Sequence, residues 1–230
     1  MSARRRLLLL GAVPSLLLLL VAARVLMLAL DDERGRDAYA AGEVRDAVAH
    51  LARNRVAAPV EQWVAAFGEG TARAAASGSR GRTDPDELAG AEVALTDALA
   101  LAPAEAQCRV RVNLALVVEA RGDAAARGGQ QGAGREEWTR ARGVLAAGGC
   151  TQPGAAAPAV SRTARRADER VRAKLAASRA AEEAAAALPA ATPQQRRDAA
   201  RLADLAARAA GTEREVRDAQ RPDPGEGVQW

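Results

Sequence analysis

The sequence predicts an all-α protein held to a membrane by a single N-terminal helix. Helix-forming Ala, Leu, Arg and Glu dominate the chain, with hydrophobic residues at 49% and aromatic residues at only 2%. Burial must therefore rest on Leu, Val and abundant Ala, a composition suited to closely packed helices. A charge-free apolar run opens the chain, and beyond it acids and bases are interleaved (DDERGRD, RRADERVRAK, TEREVRDAQR) as on solvated helix surfaces.

The first element follows MSARRR. Leu7 to Ala23 carries no charge, Arg24 interrupts, and VLMLAL extends the run to Leu30. Residues 7–30 are thus long enough to span a bilayer. Arg24, near the outer end, reaches the headgroups by snorkelling. Arg4, Arg5 and Arg6 place the N-terminus in the cytoplasm, because the far flank has no basic excess. The expectation for residues 1–30 is a cytoplasmic tip and signal anchor, with the rest of the chain outside the cytoplasm. The alternative is a cleaved signal peptide, since Val21-Ala22-Ala23 suits a processing site; the six apolar residues after Arg24 argue against it.

Residues 31–150 read as irregular helical repeats. AGAEVALTDALALAP places Ala91, Leu95, Ala98, Leu99 and Pro103 at the spacing of a repeat's second helix: small residues permit close approach, Leu95 fills the interface, and proline ends the unit. Gly42, Val44, Ala47 and Leu51, with Tyr39 just before, carry the same spacing, as do Trp138, Ala141 and Leu145. First helices fall at Pro59–Ala76, with Trp63, Phe67 and Gly70, and at Ala104–Arg121. The glycine-rich segments SGSRGRTDP and GDAAARGGQQGAG read as loops. On these residues the segment resembles the tetratricopeptide repeat family, with a period departing from the usual 34 residues. That resemblance implies stacked helical hairpins and a groove, lined by first helices, that takes a protein partner.

Within Ala104–Arg121, CRVRVNLALVVE (Cys108–Glu119) alternates like a half-buried strand. On a helix, Val110, Leu114 and Val117 share one face, and Cys108, Val112, Ala115 and Glu119 share another. The alternation is then a by-product of two apolar faces on a helix buried between neighbours. Arg109, Asn113 and Glu119 are the groove candidates on this helix.

Cys108 opens the first helix of the third repeat and Cys150 closes its second. The two ends of an antiparallel hairpin lie at one edge, so the sulfurs can meet, and a disulfide persists outside the cytoplasm. Closing that loop stabilises by roughly 3–4 kcal/mol in the chain-entropy model and would staple a repeat with no following repeat to cover it. The alternative is two unpaired small core residues.

Residues 151–161 (TQPGAAAPAV onward) read as a linker. A charged helix follows from Arg162 to Leu188, with a narrow stripe of Ala164, Ala167, Val171, Leu175 and Ser178. A second starts at Thr192-Pro193, a cap followed by proline at the first helical position, and runs to about Gln220 with a stripe of Ala200, Leu202, Leu205 and Ala209. Residues 221–230 form a tail ending in Trp230. The order of anchor, short repeat array, the Cys108 stretch, a second cysteine, charged helix and terminal Trp also resembles a group of actinobacterial membrane-anchored repeat proteins. That group is associated with von Willebrand factor A-domain proteins and MoxR-type ATPases, and the resemblance implies partners of those kinds.

The chain offers little chemistry. Its net charge is only +4 on 33 basic and 29 acidic residues, and no aromatics are interleaved with the arginines to stack bases, so nucleic acid is not an expected partner. Scarcity of residues with AT-rich codons accounts for Arg standing in for Lys, of which Lys174 is the only copy. His50 is the sole histidine, with no linked nucleophile, and two distant cysteines with one histidine do not make a metal site. GGQQGAG lacks the Gly-Lys-Ser/Thr of a phosphate loop. Glu136/Glu137 and Glu182/Glu183 lie in charged helical runs, and Trp63 and Trp138 fall at packing positions. The expected function is a non-catalytic, membrane-anchored scaffold on the extracytoplasmic side of a bacterial membrane, with no cofactor and no small-molecule substrate. Self-association of a structural envelope protein through Arg162–Gln220 is the alternative.

Overall fold

A computed structural model describes residues 3–57, 62–78, 83–186 and 192–219, and among them every regular element is an α-helix. In chain order these are α1 (Ala3–Ala40), α2 (Val44–Ala57), α3 (Gln62–Gly78), α4 (Pro85–Leu101), α5 (Ala104–Arg127), α6 (Gln131–Ala147), α7 (Pro158–Ala186) and α8 (Pro193–Ala219). Short connections make consecutive helices antiparallel neighbours.

α1 contains a segment long and apolar enough to cross a membrane. Leu18 and Leu19 are 70% and 67% exposed, so nothing among the described residues covers them. The helix does not end where its apolar run does: it continues past Asp31 to Ala40, and this last part is the packing partner of α2. Gly35 allows that contact, since a Cβ there would lie 2.8 Å from Leu51 Cγ. Gly42, at φ +80°, reverses the chain, while the Glu43 amide bonds the Ala38 carbonyl at 2.8 Å.

α4 starts where its sequence directs. Asp84 Oδ1 accepts from the amides of Asp86 (3.0 Å) and Glu87 (3.3 Å), and Pro85 occupies the first turn. Ala91, Leu95 and Ala98 are fully buried. α3 and α4 come close at Gly70, where a Cβ would meet Leu95 Cγ at 2.6 Å.

α5 carries both apolar faces that its spacing requires. Val110, Leu114 and Val117 join the main core with Phe67, Leu88, Leu95, Trp138 and Val171. Cys108, Val112 and Ala115 join a second cluster with Leu145, Cys150, Ala164 and Ala167. Both cysteines sit in that second cluster with sulfurs at bonding distance and Cα atoms 5.4 Å apart.

The segment GDAAARGGQQGAG is not a long loop. α5 runs to Arg127 and α6 begins at Gln131, leaving a turn of Gly128, Gly129 (φ +82°) and Gln130. Gly122 and Gly134 instead form the crossing of the two helices. A Cβ on Gly122 would meet the Trp138 ring at 2.6 Å and the Gly134 carbonyl at 3.0 Å. In SGSRGRTDP, Ser77 and Gly78 belong to α3, Thr83 and Asp84 precede α4, and residues 79–82 lie outside the described residues.

The sequence-read linker also shortens, because α7 starts at Pro158. Its buried residues include Ala164, Ala167, Val171 and Leu175, which pack on the α5–α6 hairpin. The open face expected after the third hairpin is therefore covered by α7, not left to the disulfide. α8 is capped reciprocally, with Thr192 Oγ1 accepting from the Gln195 amide (3.3 Å) and Gln195 Oε1 accepting from the Thr192 amide (2.9 Å). Leu202 and Leu205 on α8 stay 67% and 54% exposed. Pro59–Glu61, Leu188, Gln220 and the tail with Trp230 lie outside the described residues.

Gly122→Ala gains about 1 kcal/mol of helix propensity but overpacks Trp138, so it lowers stability by about 1–3 kcal/mol. Gly143→Ala, with nothing within 4 Å of its Cβ, raises stability or leaves it unchanged. Thermal melts of the full chain in detergent check the contrast. Replacing Cys108 and Cys150 together by Ser removes a cross-link over a separation of 42 residues, costing about 4 kcal/mol in the chain-entropy model. The parent chain takes up alkylating reagent at both cysteines only after reduction, as mass measurement checks.

Candidate functional site

Beyond its chain neighbours, α5 meets two other helices: the backbone of α3 approaches α5, and α5 approaches α7. The groove candidates on α5 map these contacts. Asn113 Nδ2 donates to Thr71 Oγ1 of α3 at 3.0 Å. Arg109, one helical turn earlier on the same side, is half-buried. Glu119 is not on an open surface. Only 5% of it is exposed, and it accepts from Arg170 Nε (3.2 Å), Arg170 Nη2 (3.0 Å) and Lys174 Nζ (2.7 Å), all on α7.

Lys174 also donates to Asp123 at 2.6 Å, and Asp123 accepts from Trp138 Nε1 at 2.9 Å. One network thus joins α5, α6 and α7 beside the Gly122–Gly134 crossing. Burial by itself would raise the Glu119 carboxyl's pKa. The hydrogen bonds and charges of Arg170 and Lys174 outweigh it and hold the group below the usual carboxylate range. Glu119 is therefore an anion that fastens α7 down. Sequence spacing placed it on the correct face of α5 but gave no sign that Arg170 and Lys174 would arrive there from 51 and 55 residues away.

The same device recurs along the chain. Glu69, 5% exposed, receives Arg55 of α2 at 3.2 Å and Arg73 of α3 at 2.8 Å, and Arg73 continues to Glu87 of α4 at 3.0 Å. Glu92 of α4 receives Arg121 of α5 and Arg140 of α6. Burial opposes its ionisation, yet the hydrogen bond and charge of Arg140, with those of Arg121, keep its pKa low. Asp168 of α7 receives Arg142 of α6 at 2.9 Å. On α2, His50 Nδ1 lies 3.1 Å from Asp31 Oδ1 of α1, an ordinary interhelix link.

An open depression of about 380 Å³ lies between α5 and α6, lined by Arg121, Gln130, Glu136, Glu137 and Arg140. Its arginines are already paired with Glu92 and Glu137, so it offers an anion no unmatched charge. Trp138 is buried in the main core and Trp63 packs against that core's edge, so both serve packing. Among the described residues, no group of three or more His, Cys, Asp or Glu side chains is placed to hold a metal.

Glu119→Gln leaves Arg170 and Lys174 without their anion. It lowers stability near pH 7 by about 1–3 kcal/mol, the buried-pair cost reduced because Arg170 is half exposed. The Glu119 pKa is lower folded than unfolded, so its contribution is present above the unfolded value of about 4.3 and is lost as pH falls through the folded value. The stability gap between parent and variant should shrink with acidification, and melting temperatures from pH 7 down to about 2 measure it. No family model, curated protein or solved structure matches the chain.

Proposed function

We propose that the chain is a membrane-tethered scaffold of tetratricopeptide-like hairpins, non-catalytic, that holds a protein partner on the extracytoplasmic side of a bacterial membrane. One observation carries the reading: α5 is approached by α3 on one flank and α7 on another, as a first helix is by its neighbours in a stacked-hairpin array. The close approaches at Gly35, Gly70 and Gly122 support the same arrangement, since hairpin arrays depend on small residues at their crossings. The Cys108–Cys150 pair supports an oxidising compartment, and with it the outward orientation of the body. The partner classes implied by resemblance, von Willebrand factor A-domain envelope proteins and MoxR-type ATPase complexes, are the first to look for. Self-association through residues 162–220 is the second reading, favoured by the exposure of Leu202 and Leu205 on α8.

A photo-crosslinking side chain at Arg109, on α5, should capture one discrete heterologous protein in membranes. The same group at Gly143, on the outer surface of α6, should not. Deleting α8 (Pro193–Ala219), which makes little contact with the rest of the body, should leave capture from Arg109 intact. A homodimer band from Leu202, with no heterologous band from Arg109, would favour the second reading.

A further inference from the structure

The register between α1 and its neighbours fixes which end of the helical body faces the bilayer. Asn54, near the end of α2 and 5% exposed, donates from Nδ2 to the Leu28 carbonyl of α1 at 3.2 Å. The C-terminal end of α2 is thereby held beside the last turn of the apolar run. Leu51 lies against both Gly35 and Gly68, with distances from would-be Cβ atoms of 2.8 and 3.4 Å, so these three positions on α1, α2 and α3 share one level.

At 1.5 Å per residue, five residues back from Gly35 is Leu30, and five back from Gly68 is Trp63. Both stand about 7–8 Å nearer the membrane than that level. Gly70 sets the next register by meeting Leu95. Six residues from that contact, Val64 on α3 and Leu101 on α4 lie together about 9 Å toward the same end.

Large apolar side chains stand exposed at this end, among polar ones such as Gln62, Asp97 and Glu105. Leu101 is 52% and Val64 36% exposed, and among the described residues between Asp31 and Ala186 Val93 is the other exposed large hydrophobic. Trp63 keeps one side on the core, its ring centroid 6.4 Å from that of Phe67, and is otherwise partly open. Because a helix directs its side chains toward its own N-terminus, Trp63 at the start of α3 leans toward the membrane end. The adjoining connection, Ala102-Pro103, and residues 148–157, on the corresponding end of the next hairpin, carry no charged side chain. A Trp beside aliphatic residues at the level where an apolar helix leaves the hydrocarbon matches the composition of a membrane interface.

We propose that this end of the body rests on the bilayer from which α1 emerges, with Trp63, Val64 and Leu101 seated in the interfacial layer. The occupant of the patch is lipid, and the contact adds to the hold of α1. The inference rests on α1 spanning the membrane, which the test checks separately. Full-length chains with a nitroxide on Val64→Cys, Leu101→Cys, Val93→Cys or Leu18→Cys, the native disulfide left oxidised, are placed in phosphatidylcholine–phosphatidylglycerol vesicles. Leu18, Val93 and Leu101 are more than half exposed and Val64 is 36% exposed, so the labels can extend into the surroundings. Collision with oxygen against a water-soluble nickel chelate reads depth.

The expected result is Leu18 deep in hydrocarbon, Val64 and Leu101 within about 10 Å of the phosphates, and Val93 in water. If Leu18 is deep while Val64 and Leu101 are as aqueous as Val93, the proposal is overturned and the anchor stands. If Val64 and Leu101 are shielded from both reagents, a second copy or another protein covers the patch, which also overturns it. An aqueous Leu18 overturns the anchor and the proposal together.

Discussion

The enclosure of α5 is the constraint on which most of this structure depends. It packs against α3, α4, α6 and α7, so its surface must satisfy neighbours on every side. With few aromatic side chains to fill gaps, it does so by letting neighbours come close. Val and Ala supply thin apolar faces, Gly122 removes a side chain where α6 crosses, and Cys108 replaces a contact with a covalent bond. Close packing of this kind leaves little room for adjustment, because a methyl group at a crossing has no void to enter.

Small side chains bury little apolar area, and the chain complements them with carboxylates. Glu69, Glu92, Glu119 and Asp168 each receive cations from a neighbouring helix. Arg suits that task, since its planar fork reaches a carboxylate with two donors while its stem lies along the helix beneath. Buried pairs of this sort contribute modest net stability but are costly to half-remove. They fix which helix lies where more than how tightly it is held, and α7 is placed by Glu119 and Asp168 as much as by Val171 and Leu175.

What the sequence made legible follows from local physics. Asp84-Pro85 is a cap and a first-turn proline whatever surrounds them, and the α5 and α7 stripes repeat at helical spacing. Cys108 and Cys150 were readable because a hairpin places its two ends together. The misreadings have a shared cause. Glycine signals a turn at Gly129 and a helix crossing at Gly122, and one sequence cannot say which without the neighbour that needs the space. The apolar run at Leu30 looked like the end of an element because charge begins there, yet charge changes the solvent around a helix without breaking it. Glu119 was placed on a face correctly, but its partners come from a distant helix, and pairing at that range leaves no periodic trace.

The unbroken passage of α1 from its apolar segment into the first hairpin has a mechanical consequence. A domain joined to an anchor through a flexible linker sweeps a hemisphere whose radius grows with the linker, and its sites meet partners in many orientations. Here the joint is helix backbone, clamped from the side by Asn54 and by the contact of Gly35 with Leu51. With α1 in a membrane, as proposed, the body would have almost no reach and a fixed attitude, and a membrane-bound partner would have to diffuse to it in the plane. Encounters would then be a two-dimensional search at fixed height, in which effective concentration depends on surface density and not on tether length. A partner whose binding segment stands at another height would be excluded by geometry alone.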